Sequence, residues 1–394
     1  MNLRLPLVVV AVLCLALPGR LPAQELVRQP AVPLDVRVPA TPSWIPARDG
    51  RHALYELHLA NYRDLPLEIL RLDVLDAGDG GLLASLEGEA LLSCLSRPGR
   101  TQGPGGRNVI GGGETAVAYL ELIRHEGEAL PAAVRHAWYV RRAAGEREEP
   151  AEKTWLMESD AVPVAPAPRF VLGPPLRGAG WLAANGLGNR ANHRRTLLAI
   201  DGKARISQRY AIDFIRIGPD GLVATADPPA NGDFFAYGAE LLAVADGVVA
   251  AVHDGMPENV PFSEHMAVPI TLETIAGNHV ILDIGGAYVM YAHLQPGTVT
   301  VEPGQAVRRG NVLGRLGNSG NSDAPHLHLQ VTDRPAPLAA EGLPFTFEGF
   351  GWQGDIPELD AWLASRAPWR PAAAEPEARR DELPLGGDVV AFPD

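Results

Sequence analysis

The chain has 394 residues, room for two or three domains of ordinary size. Its 47 Asp plus Glu against 34 Lys plus Arg give a net charge of −13, which argues against a nucleic-acid partner, because phosphate backbones select basic patches, and gives no help in binding a polyanionic surface. The 42 glycines and 36 prolines favour strands and turns over long helices.

Arg4 followed by the apolar run Leu5 to Leu17 reads as a secretory signal over residues 1–23, with cleavage after Leu21-Pro22-Ala23. The run is too short to cross a membrane, and no other stretch is long and apolar enough to do so. Leu13 ahead of Cys14 argues against a lipid anchor. A periplasmic or secreted location follows. Without the signal only Cys94 remains, so no intramolecular disulfide is expected. Cys94 reads as a small buried hydrophobe.

Residues 24 to about 50 are Pro-rich and irregular. From Ala53 the pattern alternates, with Tyr55, Leu57 and Leu59 on one face and Glu56 and His58 on the other, a half-buried strand. Leu67–Leu75, Val117–Leu122 and His136–Val140 read as further strands. Together they predict an accessory β-sandwich-like domain over 45–160, without a catalytic constellation but open to a protein partner. Five prolines in 163–175 predict a stiff or draped linker over 161–179.

The second domain, 180–352, again reads as strands and turns, a compact antiparallel β fold with barrel closure as its expected shape. Asp201-Gly202, Asp246-Gly247 and Gly285-Gly286 are hairpin signals. A short helix is expected over Pro357–Ser365. The rest of the 353–394 tail is rich in Ala, Pro, Glu and Arg and reads as disordered. The whole chain is thus all-β.

Three of the eleven histidines stand out. His326-Leu327-His328 alternates on a strand-like run, so both imidazoles share one side of a sheet and suit a common metal or a metal and a substrate. His293 ends the strand Tyr288–Tyr291. The polar loop Gly317–Ser322 leads into Pro325-His326 and reads as flexible, able to bring backbone close to a ligand. Asp213, in Ala211-Ile212-Asp213-Phe214, is a carboxylate among apolar neighbours, costly unless paired or metal-bound; the alternative is a strand-end Asp facing solvent.

Several ordered motifs resemble one family. Gly277–Asp283, Tyr291-Ala292-His293-Leu294, Val301–Gly310, Leu313-Gly314, Gly317–Gly320 and Pro325–Leu329 look like the core of lysostaphin-type (LytM-like) peptidoglycan endopeptidases, over about 205–335. The resemblance implies the lysostaphin-type peptidase fold, related to the duplicated hybrid motif, and zinc (Zn2+) held by Asp213, His328 and one further His. It gives His293 and His326 catalytic roles, general base and transition-state stabilisation. Peptidoglycan peptide is the implied substrate.

One departure stands out. The family's first ligand is the His of a His-x-x-x-Asp pattern, and here Arg209 stands four residues before Asp213. A guanidinium stays protonated and cannot ligate zinc. His193 is the best substitute, because a hairpin turning at Asp201-Gly202 brings its two ends together; the alternative is a surface His in a basic turn. His265 and His279 are weaker substitutes. Two functions remain in view, a zinc metalloendopeptidase of bacterial cell wall and an inactive scaffold or activator of other wall hydrolases. A third, suggested by the carrier-domain-like Pro-Gly-Gln-x-Val-x-x-Gly pattern, lacks a modifiable lysine.

Overall fold

The computed structural model describes residues 27–28, 34–99, 106–143, 154–365 and 367–394. The signal segment 1–23 lies outside the described residues. The described residues are almost entirely β, and their helices are short: Gly88–Cys94, Leu359–Ser365 and two 3-10 turns.

The N-terminal half packs two sheets face to face. One centres on Gly50–Asn61 paired with Thr115–Arg124, the other on Leu67–Asp76 paired with Ala133–Arg142. Alternation sends Tyr55, Leu57, Leu59, Leu72, Val74 and Trp138 into the shared core. The opposite face of Gly50–Asn61 does not meet water. Glu56 is 1% exposed because that face packs on the second half of the chain. Val117 and Tyr119 pack there against Ile206 and Leu197, and Ile45 and Leu54 join the core of the second half.

The second half is built on a ten-stranded antiparallel sheet. Its order is Ala306–Val307, Gly247–His253, Asn278–Asp283, Tyr288–Leu294, Leu327–Thr332, Ile212–Arg216, Gly178–Ala184, Asp388–Phe392, Phe350–Asp355 and Glu377–Arg379. The path is open at both ends, so the expected barrel does not close. The register sets Asp213 opposite both His328 and Ala184, and His328 opposite Ala292. Ile212, Phe214, Leu327 and Leu329 alternate with these residues and are fully buried in the core on the other face.

Three sequence expectations change. Asp246-Gly247 makes no hairpin: Glu240–Leu242 pairs with Val312–Arg315, while Gly247–His253 pairs with Asn278–Asp283 and Ala306–Val307. Residues 161–179, expected as a stiff or draped linker, run against strands of both halves. Val162–Pro163 joins Ala133–Arg142, and Phe170–Leu172 runs parallel to Phe345–Phe347. The tail is not disordered: Asp388–Phe392 bonds to Gly178–Ala184 on one side and Phe350–Asp355 on the other, with Val389 and Val390 fully buried. Its β-branched and aromatic residues make a strand that the average composition of the tail conceals. The Asn318–Ser322 loop is pinned rather than flexible, as its hydrogen bonds below make clear.

Candidate metal centre

Asp213 and His328 meet because ladder register places them side by side on one face of the sheet. Asp213 is 9% exposed, not a solvent-facing strand end. Its Oδ1 lies 2.9 Å from Nδ1 of His328 and 3.5 Å from Nε2 of His326, and its Oδ2 lies 3.3 Å from Nε2 of His193. Asn185 Nδ2 also donates to Oδ2, at 2.9 Å. The rings of His193 and His328 sit edge to face with centroids 4.7 Å apart. One ligand atom from each of His193, Asp213 and His328 lies within 4.8 Å of the other two.

His193 arrives from a 3-10 turn, His193–Arg195, ahead of the hairpin Leu198–Ile200/Lys203–Arg205, which turns at Asp201-Gly202. The two ends of that segment do converge, and His193 is not a surface residue of a basic turn. Arg209 stands apart: it is 4% exposed and bonds to Glu56 and Gly342. His279 is in the Asn278–Asp283 strand, its Nδ1 donating to the Gly277 carbonyl and its ring stacked on His253. His265 is exposed. Neither belongs to the group around Asp213.

The hydrogen-bond partners assign the free lone pairs. Gln330 Nε2 donates to the Pro337 carbonyl, which turns Gln330 Oε1 toward Nε2 of His328 at 3.0 Å. A neutral His328 therefore donates from Nε2 and presents a bare Nδ1 to Asp213 Oδ1. Two acceptors face each other at 2.9 Å, an arrangement that only a proton or a cation between them makes favourable. His326 donates from Nδ1 to the Ala324 carbonyl at 2.8 Å, and His293 from Nδ1 to the Ser319 carbonyl at 2.7 Å, leaving Nε2 free on each. Ring orientation fixed by a second hydrogen bond is the usual arrangement of metal-site histidines.

His293 is aimed by an irregularity. The ladder between Asn278–Asp283 and Tyr288–Leu294 shifts register where Asn278 pairs with Leu294 and Val280 with Tyr291, so Ala292 and His293 bulge. His293 takes φ +67°, a left-handed conformation uncommon for a non-glycine residue and concentrated at functional positions. Its ring lies 4.8 Å from that of His326 and 5.8 Å from that of His328. The Ser319 backbone reaches His293 because Gly277 and Gly320 interlock: a Cβ on Gly277 would meet Ser319 O at 2.4 Å, and one on Gly320 would meet Gly277 N at 2.3 Å. Ser319 Oγ ties the loop down by donating to the Leu294 carbonyl and accepting from Asn278 N. Asn259 Nδ2 donates to the carbonyls of Gly320 and Ser322.

Charge follows burial. Burial pushes the Asp213 carboxyl up, but His193 and His326 outweigh it and hold the group well below the usual carboxylate range. Burial drives His193 down to about 4 against the pull of Asp213. It holds His293 well below the ordinary imidazole value, helped by His326 and His328. His326 moves the other way: burial lowers it, and Asp213 more than compensates. His193 and His293 are thus held neutral beside an ionised carboxylate, which suits a divalent metal.

These residues line a cleft of about 980 Å³. Its walls include Ile215, Phe234, Met290 and Leu338, and the Leu359–Ser365 helix closes one side with Leu359, Trp362 and Leu363.

Residues 232–339 match the sequence pattern of Peptidase family M23. The match takes in His293, His326 and His328 and begins after His193 and Asp213, which the fold brings to them. The chain is 33% identical over 144 residues to the peptidoglycan DD-endopeptidase ShyA of Vibrio cholerae serotype O1, covering 36% of this chain and 28% of that relative's length. Among solved structures it is similar to the catalytic domain of lysostaphin from Staphylococcus simulans, with 19% identity over 44% of this chain and 88% of that one and a TM-score of 0.21. It is also similar to a zinc containing peptidase from Vibrio cholerae, with 14% identity over 71% of this chain and 77% of that one and a TM-score of 0.21.

Sequence reasoning missed Asn185 and Gln330. Gln330 continues the alternation of His326 and His328 and is visible in that pattern. Asn185, at φ +52° just beyond its strand, carries no sequence signal.

Proposed function

We propose that the protein is a zinc metalloendopeptidase that cleaves peptide crosslinks of bacterial cell wall, acting outside the cytoplasm. The observation that carries this reading is the grouping of one ligand atom each from His193, Asp213 and His328, within 4.8 Å of one another, in the lining of a cleft. Two nitrogens and a carboxylate oxygen with a fourth side left open suit catalytic zinc. The match of residues 232–339 to Peptidase family M23 and the named activity of the Vibrio relative support the chemistry. The secretory reading of residues 1–23 supports the location.

When bound, zinc supplies a Lewis acid that acidifies water and polarises a carbonyl. The chain's own residues do the rest. His326, anchored at Nδ1 by the Ala324 carbonyl, takes a proton at Nε2 and returns it to the departing amine. Asp213 beside it stabilises that protonated state. His293, anchored by Ser319, points a neutral ring at the same space and stabilises charge developing on the substrate oxygen. The apolar walls hold the peptide and exclude bulk water.

The test is zinc content and wall-peptide hydrolysis of the purified protein. One equivalent of zinc, absent from His328→Ala and from His193→Ala, is expected together with release of new amino groups from peptidoglycan. A protein that folds fully and takes up no zinc sinks the enzyme reading in favour of an inactive scaffold. Zinc that persists in His193→Ala moves the third ligand elsewhere.

A further inference from the structure

Two ligand positions, Asp213 and His328, are built into a β ladder, but His193 is not. Its turn is held by the sandwich. Arg194, with no exposed surface, donates to the carbonyls of Tyr55 at 2.9 Å and Leu120 at 2.8 Å and lies 3.3 Å from Glu56 Oε1. Asn189 donates from its backbone to Glu121 Oε2 and from its side chain to the Tyr119 carbonyl. Arg195 lies over the Tyr119 ring, 4.3 Å from its centroid. All of these anchoring groups belong to the N-terminal half.

Glu56 also reaches the other side of the site. Arg209 donates to its Oε2 from Nε at 2.9 Å, and a terminal nitrogen lies 2.8 Å from the same oxygen. Arg209 meets Glu341 as well, at 2.6 Å. Arg209 begins the run Tyr210-Ala211-Ile212 that delivers Asp213. One buried carboxylate therefore joins the turn bearing His193 to the strand bearing Asp213, and the arginine at the place of the usual ligand is its second anchor. We propose that Glu56 is a positioning residue of the metal centre, fixing His193 through Arg194, so that the N-terminal sandwich is a working part of the site. The inference rests on His193 being a ligand.

The test uses the full chain. Glu56→Gln leaves two buried arginines without their shared partner and risks misfolding. Glu56→Gln/Arg194→Met removes the matching charge, and Asn189→Ala loosens the same turn from a half-exposed position. Three measurements are made on whichever variants fold: zinc affinity by competition with a chromogenic chelator, the visible spectrum with cobalt in place of zinc, and hydrogen exchange of metal-free protein. Zinc affinity is expected to fall at least about tenfold in the Glu56 variants, the range for loss of outer-shell support, and less in Asn189→Ala. The cobalt spectrum should move toward that of His193→Ala. Exchange over 186–197 should accelerate at least about tenfold while 280–294 stays unchanged. Folded variants with native zinc affinity, cobalt spectrum and exchange overturn the positioning role alone. A native protein that takes up no metal overturns the ligand reading and this inference with it.

Discussion

Two buried histidine environments in this chain look alike in the sequence and differ in the fold. His136, on the Ala133–Arg142 strand, crosses the sandwich core with both ring nitrogens matched: Tyr55 Oη donates to Nε2 at 2.9 Å, and Nδ1 faces Ser159 Oγ at 3.1 Å. Ser159 Oγ in turn donates to the Asp160 carbonyl, so Nδ1 is the donor. His328 has one nitrogen matched by Gln330 and the other facing a carboxylate that offers no proton. Burial alone does not mark a functional histidine. The mark is a lone pair aimed at another acceptor, left that way by a neighbour, here Gln330, that fixes the ring.

The sharpest way to break this comparison is at His293. His293→Ala is expected to cut hydrolysis by about 10²–10⁴-fold, the range for an acid–base or oxyanion partner, while the protein keeps its equivalent of zinc. Loss of the metal together with activity would make His293 a ligand and redraw the centre.

His136 supplies the opposite test, on stability and not on activity. Burial pushes its folded-state value down to about 4, against 6.5 for the ordinary group. Between these values the unfolded chain holds the extra proton, so stability is complete above pH 6.5 and falls as the pH drops toward 4. The expected loss is about 3 kcal/mol. Denaturant melts of metal-free protein at pH 7 and pH 4.5 should show that slope, and His136→Phe should be flatter. Equal slopes would mean that His136 is already protonated in the fold.

Gln330→Leu separates ring orientation from ligation. It removes the acceptor that holds the His328 proton on Nε2, and zinc affinity is expected to fall about 10–100-fold with the fold intact by near-UV circular dichroism. An unchanged affinity would assign Gln330 to packing. The smallest effect belongs to Tyr55→Phe, which strands His136 Nε2 as a buried acceptor. A cost of about 1–2 kcal/mol is expected at pH 7, read from the denaturation midpoint, with zinc affinity unchanged.

Much of the site was legible because period-2 alternation carries through unchanged. His326 and His328 share a face, the Asp201-Gly202 and Gly285-Gly286 turns form, and Asp213 sits among apolar neighbours because the other face of its strand is core. What was not legible depends on distant packing. Asp246-Gly247 carries the local chemistry of a tight turn, yet its flanking strands find better partners about thirty and seventy residues away. Glu56 alternates like a solvent-facing residue, and only the second half of the chain, seated on that face, makes it buried. Arg209 reads as a lost ligand until Glu56 supplies its partner.

The Asp388–Phe392 strand has a consequence for the order of assembly. It pairs with Gly178–Ala184, about two hundred residues earlier, and that strand in turn flanks the one carrying Asp213. During synthesis the Asp213 strand can find Leu327–Thr332 well before the far side of the sheet is supported. Contacts of such long sequence separation close slowly, so the far side of the sheet is completed after the strands that carry Asp213 and His328 have paired, and until then Gly178–Ala184 offers an exposed edge to any neighbouring chain.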